Sequence, residues 1–253
     1  MIDFLQGLYP SLTVFAVLSF IVFLAGTIRS FTGFGSGLVM APTFSYFMSP
    51  SSVVAVMVLL NFVTTIQMLP SIWKHINWKL VISISIPGVL GVPIGIALIQ
   101  WLDPLLIRKM ISILVATLAV LMLIGWQYQG IRDKKRDWGV GLFAGTLNGV
   151  AGVGGPPLVL YLISAKDISP QAFRSFFIAY FAFIQIMTLT MMSLNDTLTV
   201  AQFAYTGSFL PVYILSAVVG SYLFNKALKN HAYLVKRVAL WFLLCVGIVT
   251  LIV

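Results

Sequence analysis

Apolar residues run along this chain in blocks too long and too evenly apolar for a water-soluble fold. Ten blocks are bounded by charges, prolines or glycine clusters: 12–28, 34–48, 51–73, 80–101, 107–128, 138–147, 155–164, 172–194, 203–224 and 238–253. A spanning helix needs about 20 residues, with about 17 a practical minimum. Six blocks read as spans: the third, fourth, fifth, eighth, ninth and tenth. The other four fall in adjacent pairs, first with second and sixth with seventh. The sixth and seventh hold ten residues each, about 15 Å of helix at a rise of about 1.5 Å per residue, or half a bilayer. Each pair reads as a hairpin of half-helices, or as a helix broken near the membrane centre. The pattern predicts an all-α polytopic membrane protein.

Composition agrees. Hydrophobic residues make up 60% of the 253 and charged ones 8%, against roughly 25% charged in a soluble domain. The mean hydropathy is +1.05. The net charge of +9 does not point to nucleic acid, because the basic residues sit between apolar runs, where membrane orientation requires them. Arg132, Lys134, Lys135 and Arg136 form the densest cluster and mark a cytoplasmic loop. Counting outward from it, Lys74, Lys79, Lys166, Arg174, Lys226, Lys229, Lys236 and Arg237 fall on the same side, and Arg108 and Lys109 on the other. Arg29 lies inside the first broken pair. Both termini are therefore expected to face away from the cytoplasm, in an inner or plasma membrane. No secretory cleavage site is recognised near the first segment, which is read as retained.

The chain also repeats. Residues 26–35 (GTIRSFTGFG) align with 145–154 (GTLNGVAGVG) at an offset of 119, and Ser49-Pro50 aligns with Ser169-Pro170 at 120. Pro87 and Gly95 find looser counterparts in Pro211 and Gly220. The division falls into a membrane repeat at 1–130 and another at 131–253. Each half carries five segments, an odd number of crossings, so the halves are expected to be inverted. Inverted repeats place a transporter's substrate site at their interface.

The glycine turns carry the chemistry. Gly33-Phe34-Gly35-Ser36-Gly37 opens the second segment, and Gly152-Val153-Gly154-Gly155 opens the seventh. Glycine permits tight turns and close backbone approach. Each following helix then directs unpaired N–H groups and a positive dipole end into the membrane interior, where an anion suits them. The alternative is that the glycines serve close helix packing only, as Gly91-x-x-x-Gly95 does.

These residues resemble the sulfite exporter TauE/SafE family. The resemblance rests on the duplicated glycine turn, the apolar run after it, the Ser-Pro step and the later Pro-Gly-x-x-Gly element, and it spans both halves. Ser36 and Pro156 stand where the family's turns carry glycine. The resemblance implies a bacterial-type inner-membrane carrier that moves small sulfur oxyanions, sulfonates or organic acids, generally outward. An anion channel or a carboxylate transporter of the same fold is the alternative.

Arg29 sits four residues before Gly33, and its counterpart in the second half is Asn148. A guanidinium there is placed to hold a sulfonate or carboxylate through two hydrogen bonds, with Asn148 a neutral third donor. A snorkelling arginine is the competing account, and for Arg174 the stronger one. Asn61, Gln67 and Gln185 are polar within apolar spans and read either as site lining or as contacts between helices. Trp73, Trp78, Trp101, Trp126 and Trp138 mark segment ends. All six acids are Asp and none lies mid-span, so a carboxylate proton relay has no candidate. His75 and His231 lack ligand-spaced partners, and no metal or cofactor is expected. No Ser/His, paired Asp or metal-ligand set lies within spans, so an enzyme is not expected either. The expected partners are the small anion and the bilayer, and a homodimer is left open.

Overall fold

The structure, a computed structural model, describes residues 11–103, 133–162 and 168–230, with isolated positions between 105 and 130. Among the described residues every regular element is helical: α1 (Leu12–Thr32), α2 (Ser36–Phe44), α3 (Pro50–Ile72), α4 (Trp78–Trp101), α5 (Lys134–Ala151), α6 (Gly155–Leu162), α7 (Pro170–Leu194) and α8 (Val200–Asn230). A short 3₁₀ turn, Trp73–His75, joins α3 to α4. Helices α1, α3, α4, α7 and α8 are long and apolar enough to cross a membrane. The blocks expected at 107–128 and 238–253 fall, apart from a few isolated positions in the first, outside the described residues.

Local chemistry explains the starts. Ser49 and Ser169 are N-caps with nearly the same geometry, each Oγ accepting from the N–H three residues on, and each followed by a proline at the first helical position. Asp133 caps α5 in the same way, accepting from Arg136 N at 2.8 Å.

That cap corrects one expectation. The sixth block is not a half-helix: α5 begins at Lys134 and runs 18 residues, about 27 Å. The charged stretch joins the helix because Asp137, on its buried face, accepts hydrogen bonds from Tyr161 Oη (2.7 Å) and Ser83 Oγ (2.9 Å). In each pair, then, a long helix is followed by a short one. Helices α2 and α6 have nine and eight residues.

Contact registers give the helix directions. Phe15 stacks on Phe209, Gly26 faces Tyr213 and Ser216, and Phe31 meets Phe224, so α1 and α8 run the same way. Helix α3 runs with them, since Gln202 bonds to Ser52 and Tyr213 to Asn61. In a second group, Ile84 lies opposite Gly141, Gly88 opposite Gly145 and Val92 opposite Gly149, so α4 and α5 are parallel. Helix α7 shares their direction, with Tyr180 against Gly88 and Met192 near Ile96. The two groups are opposed: Thr65 bonds to Gln185, while Val54, eleven residues earlier on α3, lies near Met192, seven residues later on α7. The short helices turn back. Phe44, ending α2, packs on Phe209 beside the start of α1, and Tyr161, near the end of α6, reaches the start of α5.

A glycine seam locks α4 to α5. A Cβ on Gly145 would collide with the carbonyl of Gly88, one on Gly91 with that of Leu142, and one on Gly95 with that of Thr146. The outer faces are apolar, as in the exposed stripe Ile82, Ile86, Leu90 and Ile94 on α4. Gly145→Ala is expected to push the two helices apart and destabilise the protein by about 1–3 kcal/mol. Gly139→Ala, with nothing within 4 Å of the added carbon, is expected to leave stability unchanged or slightly raised. Thermal melting of both in detergent checks the pair.

Candidate functional site

Two chain turns meet in the interior. Helix α1 ends at Gly33 (φ 92°), whose N–H donates to Arg29 O at 2.6 Å, and Gly35 (φ 98°) leads into α2. Helix α5 ends at Gly152 (φ 67°), whose N–H donates to Asn148 O at 2.8 Å. These left-handed conformations suit glycine and strain other residues. Across the join, Gly37 lies against the carbonyl of Gly152, and Gly155 lies against the ring of Phe34. Neither approach leaves room for a side chain without displacing its neighbour.

Between the turns is a cavity of about 20 Å³, room for one or two waters at about 10–15 Å³ each. Of the residues singled out in the sequence, Arg29, Gly35, Ser36, Gly37, Asn61, Asn148, Gly152, Val153, Gly155, Pro156 and Gln185 line it. Met57, Val58 and Phe181 complete much of the wall.

Arg29 is 2% exposed. Its Nη1 donates to Gly33 O at 3.4 Å, and its Nη2 to Asn61 O at 3.3 Å and to Thr65 Oγ1 at 2.5 Å. Its Nε is buried with no hydrogen-bond partner, and the guanidinium lies 5.6 Å from the Phe181 ring centre. Every partner is neutral. The only ion pair among the described residues joins Arg136 to Asp133 at the exposed start of α5. An arginine does not release its proton in a protein, so the cavity wall carries a full positive charge without a carboxylate beside it. The snorkelling account fails for Arg29, whose side chain stays inside and ties α1 to α3.

The neutral groups are tied to one another. Asn61 Oδ1 accepts from Ser36 Oγ at 3.0 Å and from Tyr213 Oη. Gln185 Oε1 lies 3.0 Å from Thr65 Oγ1, and Asn148 Nδ2 lies 3.5 Å from Thr188 Oγ1. Both halves of the chain thus contribute to one polar network.

Five candidates lie elsewhere. Gly33 packs against Arg174 and Phe177, and Gly154 against Ala144 and the Asn148 Cβ. The ring of Phe34, 1% exposed, sits among Phe173 and Phe177. Gln67 is exposed on the outer face of α3, because it falls outside the stripe of Asn61, Thr64, Thr65 and Met68 that faces inward. Arg174 does not snorkel. It is 5% exposed, donates from Nε to Ser30 O at 2.7 Å and from Nη2 to Ser221 Oγ at 2.9 Å, and lies 4.4 Å from the Phe224 ring centre. It braces α7 against α1 and α8.

Thr65 and Tyr213 were not singled out from sequence. Thr65 follows Asn61 by four residues and shares its face, a usable signal. Tyr213 carries none beyond being a tyrosine inside an apolar run.

Five helices long and apolar enough to cross a membrane, packed around a buried, cationic, water-sized cavity, define a polytopic membrane protein. The chain matches the family described as Sulfite exporter TauE/SafE over residues 18–250, and it belongs to that family of membrane transporters. Among similar proteins, a probable membrane transporter protein of Methanocaldococcus jannaschii is 26% identical over 170 residues, 62% of this chain and 64% of that protein. The probable sulfite/organosulfonate exporter TauE of Cupriavidus necator is 25% identical over 207 residues, 78% of this chain and 79% of that protein. No solved structure matches the chain.

Arg174→Lys is expected to lose one of its two hydrogen bonds and lower stability by about 1.5–3 kcal/mol, with anion affinity unchanged. Gln67→Leu is expected to leave both unchanged. Melting temperature and ligand titration on the same detergent samples separate these effects.

Proposed function

We propose that this chain is a secondary transporter that exports a small sulfur oxyanion or organosulfonate by alternating access. The observation that carries the reading is Arg29: a buried cation with only neutral partners, on the wall of a cavity where two glycine turns meet. A cation held this way in low dielectric is costly alone and is relieved by an anion. The name of the Cupriavidus relative supplies the class of anion.

The helix directions support an inverted repeat of residues 1–130 and 131–253. Helices α1, α3 and α4 of the first half correspond to α5, α7 and α8 of the second, and each runs opposite to its counterpart. The pairing is reciprocal as well. The first helix of each half lies along the last described helix of the other, α1 on α8 and α5 on α4. Alternating access is then the exchange of two packings related by a pseudo-two-fold axis in the membrane plane, around a fixed site.

The same directions support the orientation. The ends of α3 and α8 and the starts of α4 and α5 share one end of the bundle, bringing together Lys74, Lys79, Lys134, Lys135, Arg136 and Lys226. That end is the cytoplasmic one by the distribution of basic residues. The N-terminal end of α1 then faces the periplasm.

Uptake of labelled sulfite, sulfonates and carboxylates into proteoliposomes tests the function. Saturable transport of a sulfur oxyanion is expected. Arg29→Lys keeps the charge but loses the planar fork and is expected to weaken affinity ten- to a hundredfold, about 1.5–3 kcal/mol. Equal affinity in the Lys variant would remove Arg29 from recognition, and steady single-channel conductance would replace the carrier with a channel. Orientation is tested by a cysteine at position 134 in a Cys245→Ser background, which is expected to resist an impermeant thiol reagent applied from the periplasmic side.

A further inference from the structure

We infer that the site selects monovalent anions, and that the membrane potential acts on the return of the empty carrier rather than on the loaded one. The inference rests on the transport reading above and follows from counting charges around the cavity.

Among the described residues of the cavity wall, Arg29 is the only charged side chain. The polar ones, Ser36, Asn61, Asn148 and Gln185, are neutral. Arg174, the other buried arginine among the described residues, is absent from the wall and engaged with the Ser30 carbonyl, Ser221 and the Phe224 ring. Among the described residues no acid approaches either. Asp103, Asp133 and Asp196 are exposed, and Asp137 is held by Tyr161 and Ser83.

One buried positive charge sets the balance. A monoanion brings the occupied site to zero net charge. A dianion leaves one uncompensated negative charge inside the bilayer, which is as unfavourable as the lone guanidinium it replaces. The neutral donors of the wall can orient a second oxygen, but they supply no second unit of charge. Discrimination between singly and doubly charged forms of one oxyanion is therefore built into the site.

The charge of each carrier state follows. With a monoanion bound, the centre is neutral when access changes sides, so the loaded step moves no net charge through the field. Without it, the centre carries Arg29's positive charge. After export the empty carrier must regain inward access, and an interior-negative potential draws that charge inward. The cycle moves one negative charge outward in total, all of it in the empty step. Exchange of one bound anion for another skips that step.

The test uses the full chain in proteoliposomes with the potential set by a potassium gradient and valinomycin. The probes are labelled methanesulfonate, sulfate, and sulfite presented as its monoanion at acid pH and its dianion at alkaline pH. Methanesulfonate and the sulfite monoanion are expected to move at least a hundredfold better than sulfate. Homoexchange of the preferred probe is expected to be independent of potential. Net efflux into probe-free medium is expected to accelerate as the interior becomes negative, and the equilibrium distribution to shift about tenfold per roughly 60 mV, as for one charge. Arg29→Gln should reverse the pattern, with any residual homoexchange becoming voltage-sensitive, because the occupied site would then be negative. Sulfate transport equal to that of methanesulfonate, or voltage-dependent wild-type homoexchange, would overturn the inference while leaving the protein an anion transporter. Failure of every probe to move would sink the transport reading and this inference with it.

Discussion

The constraint on which the rest of the structure turns is the cost of leaving polar groups unsatisfied inside hydrocarbon. Two helices stop in the interior, at Gly33 and Gly152, and each stop frees backbone groups that no lipid can satisfy. Left-handed glycines close the ends by returning an N–H to the carbonyl of Arg29 or Asn148. Arg29 then uses its guanidinium on the carbonyls of Gly33 and Asn61. One side chain thereby satisfies carbonyls on two elements while presenting its charge to the cavity. Structural repair and the positive charge of the cavity wall are the same set of atoms.

Much of this was legible in the sequence, and what was not has a physical cause. The duplicated glycine turns and the Ser-Pro steps were readable because left-handed backbone and helix capping select few residue types. The sixth block was cut short because charged residues normally end a membrane segment. The Tyr161 and Ser83 hydroxyls that let Asp137 stay buried are 24 and 54 residues away. Gln67 and Asn61 looked equivalent because the lipid face of a membrane helix is as apolar as its core. Hydrophobic periodicity that would mark the inward face in a soluble protein is flattened here. Arg174 looked like a surface residue for a related reason, since nothing nearby in the sequence announces Ser221 or Phe224.

Convergence is the part that sequence reasoning could not supply. Arg29, Asn61, Gln185 and Tyr213 come from four helices, and the bond between Asn61 and Tyr213 spans 152 positions. Each is an isolated polar residue in an apolar run, the commonest kind of ambiguity in a membrane chain. Only the packing of α1, α3, α7 and α8 turns them into one network.

The reciprocal pairing of the halves also has a consequence for biosynthesis. Helix α1 finds its long partner only when α8 has been made, some 190 residues later, and at about 5–20 residues per second this is a wait of roughly ten to forty seconds. Throughout that interval Arg29 sits in an emerging segment without Tyr213, Gln185 or the closed cavity around it. Such a segment is a natural client for membrane insertases and quality-control proteases. A chain stopped before α8 can still hold Arg29 on Gly33, Asn61 and Thr65, but it lacks Tyr213 and the helix that lies along α1, so its arginine stands in an unfinished wall.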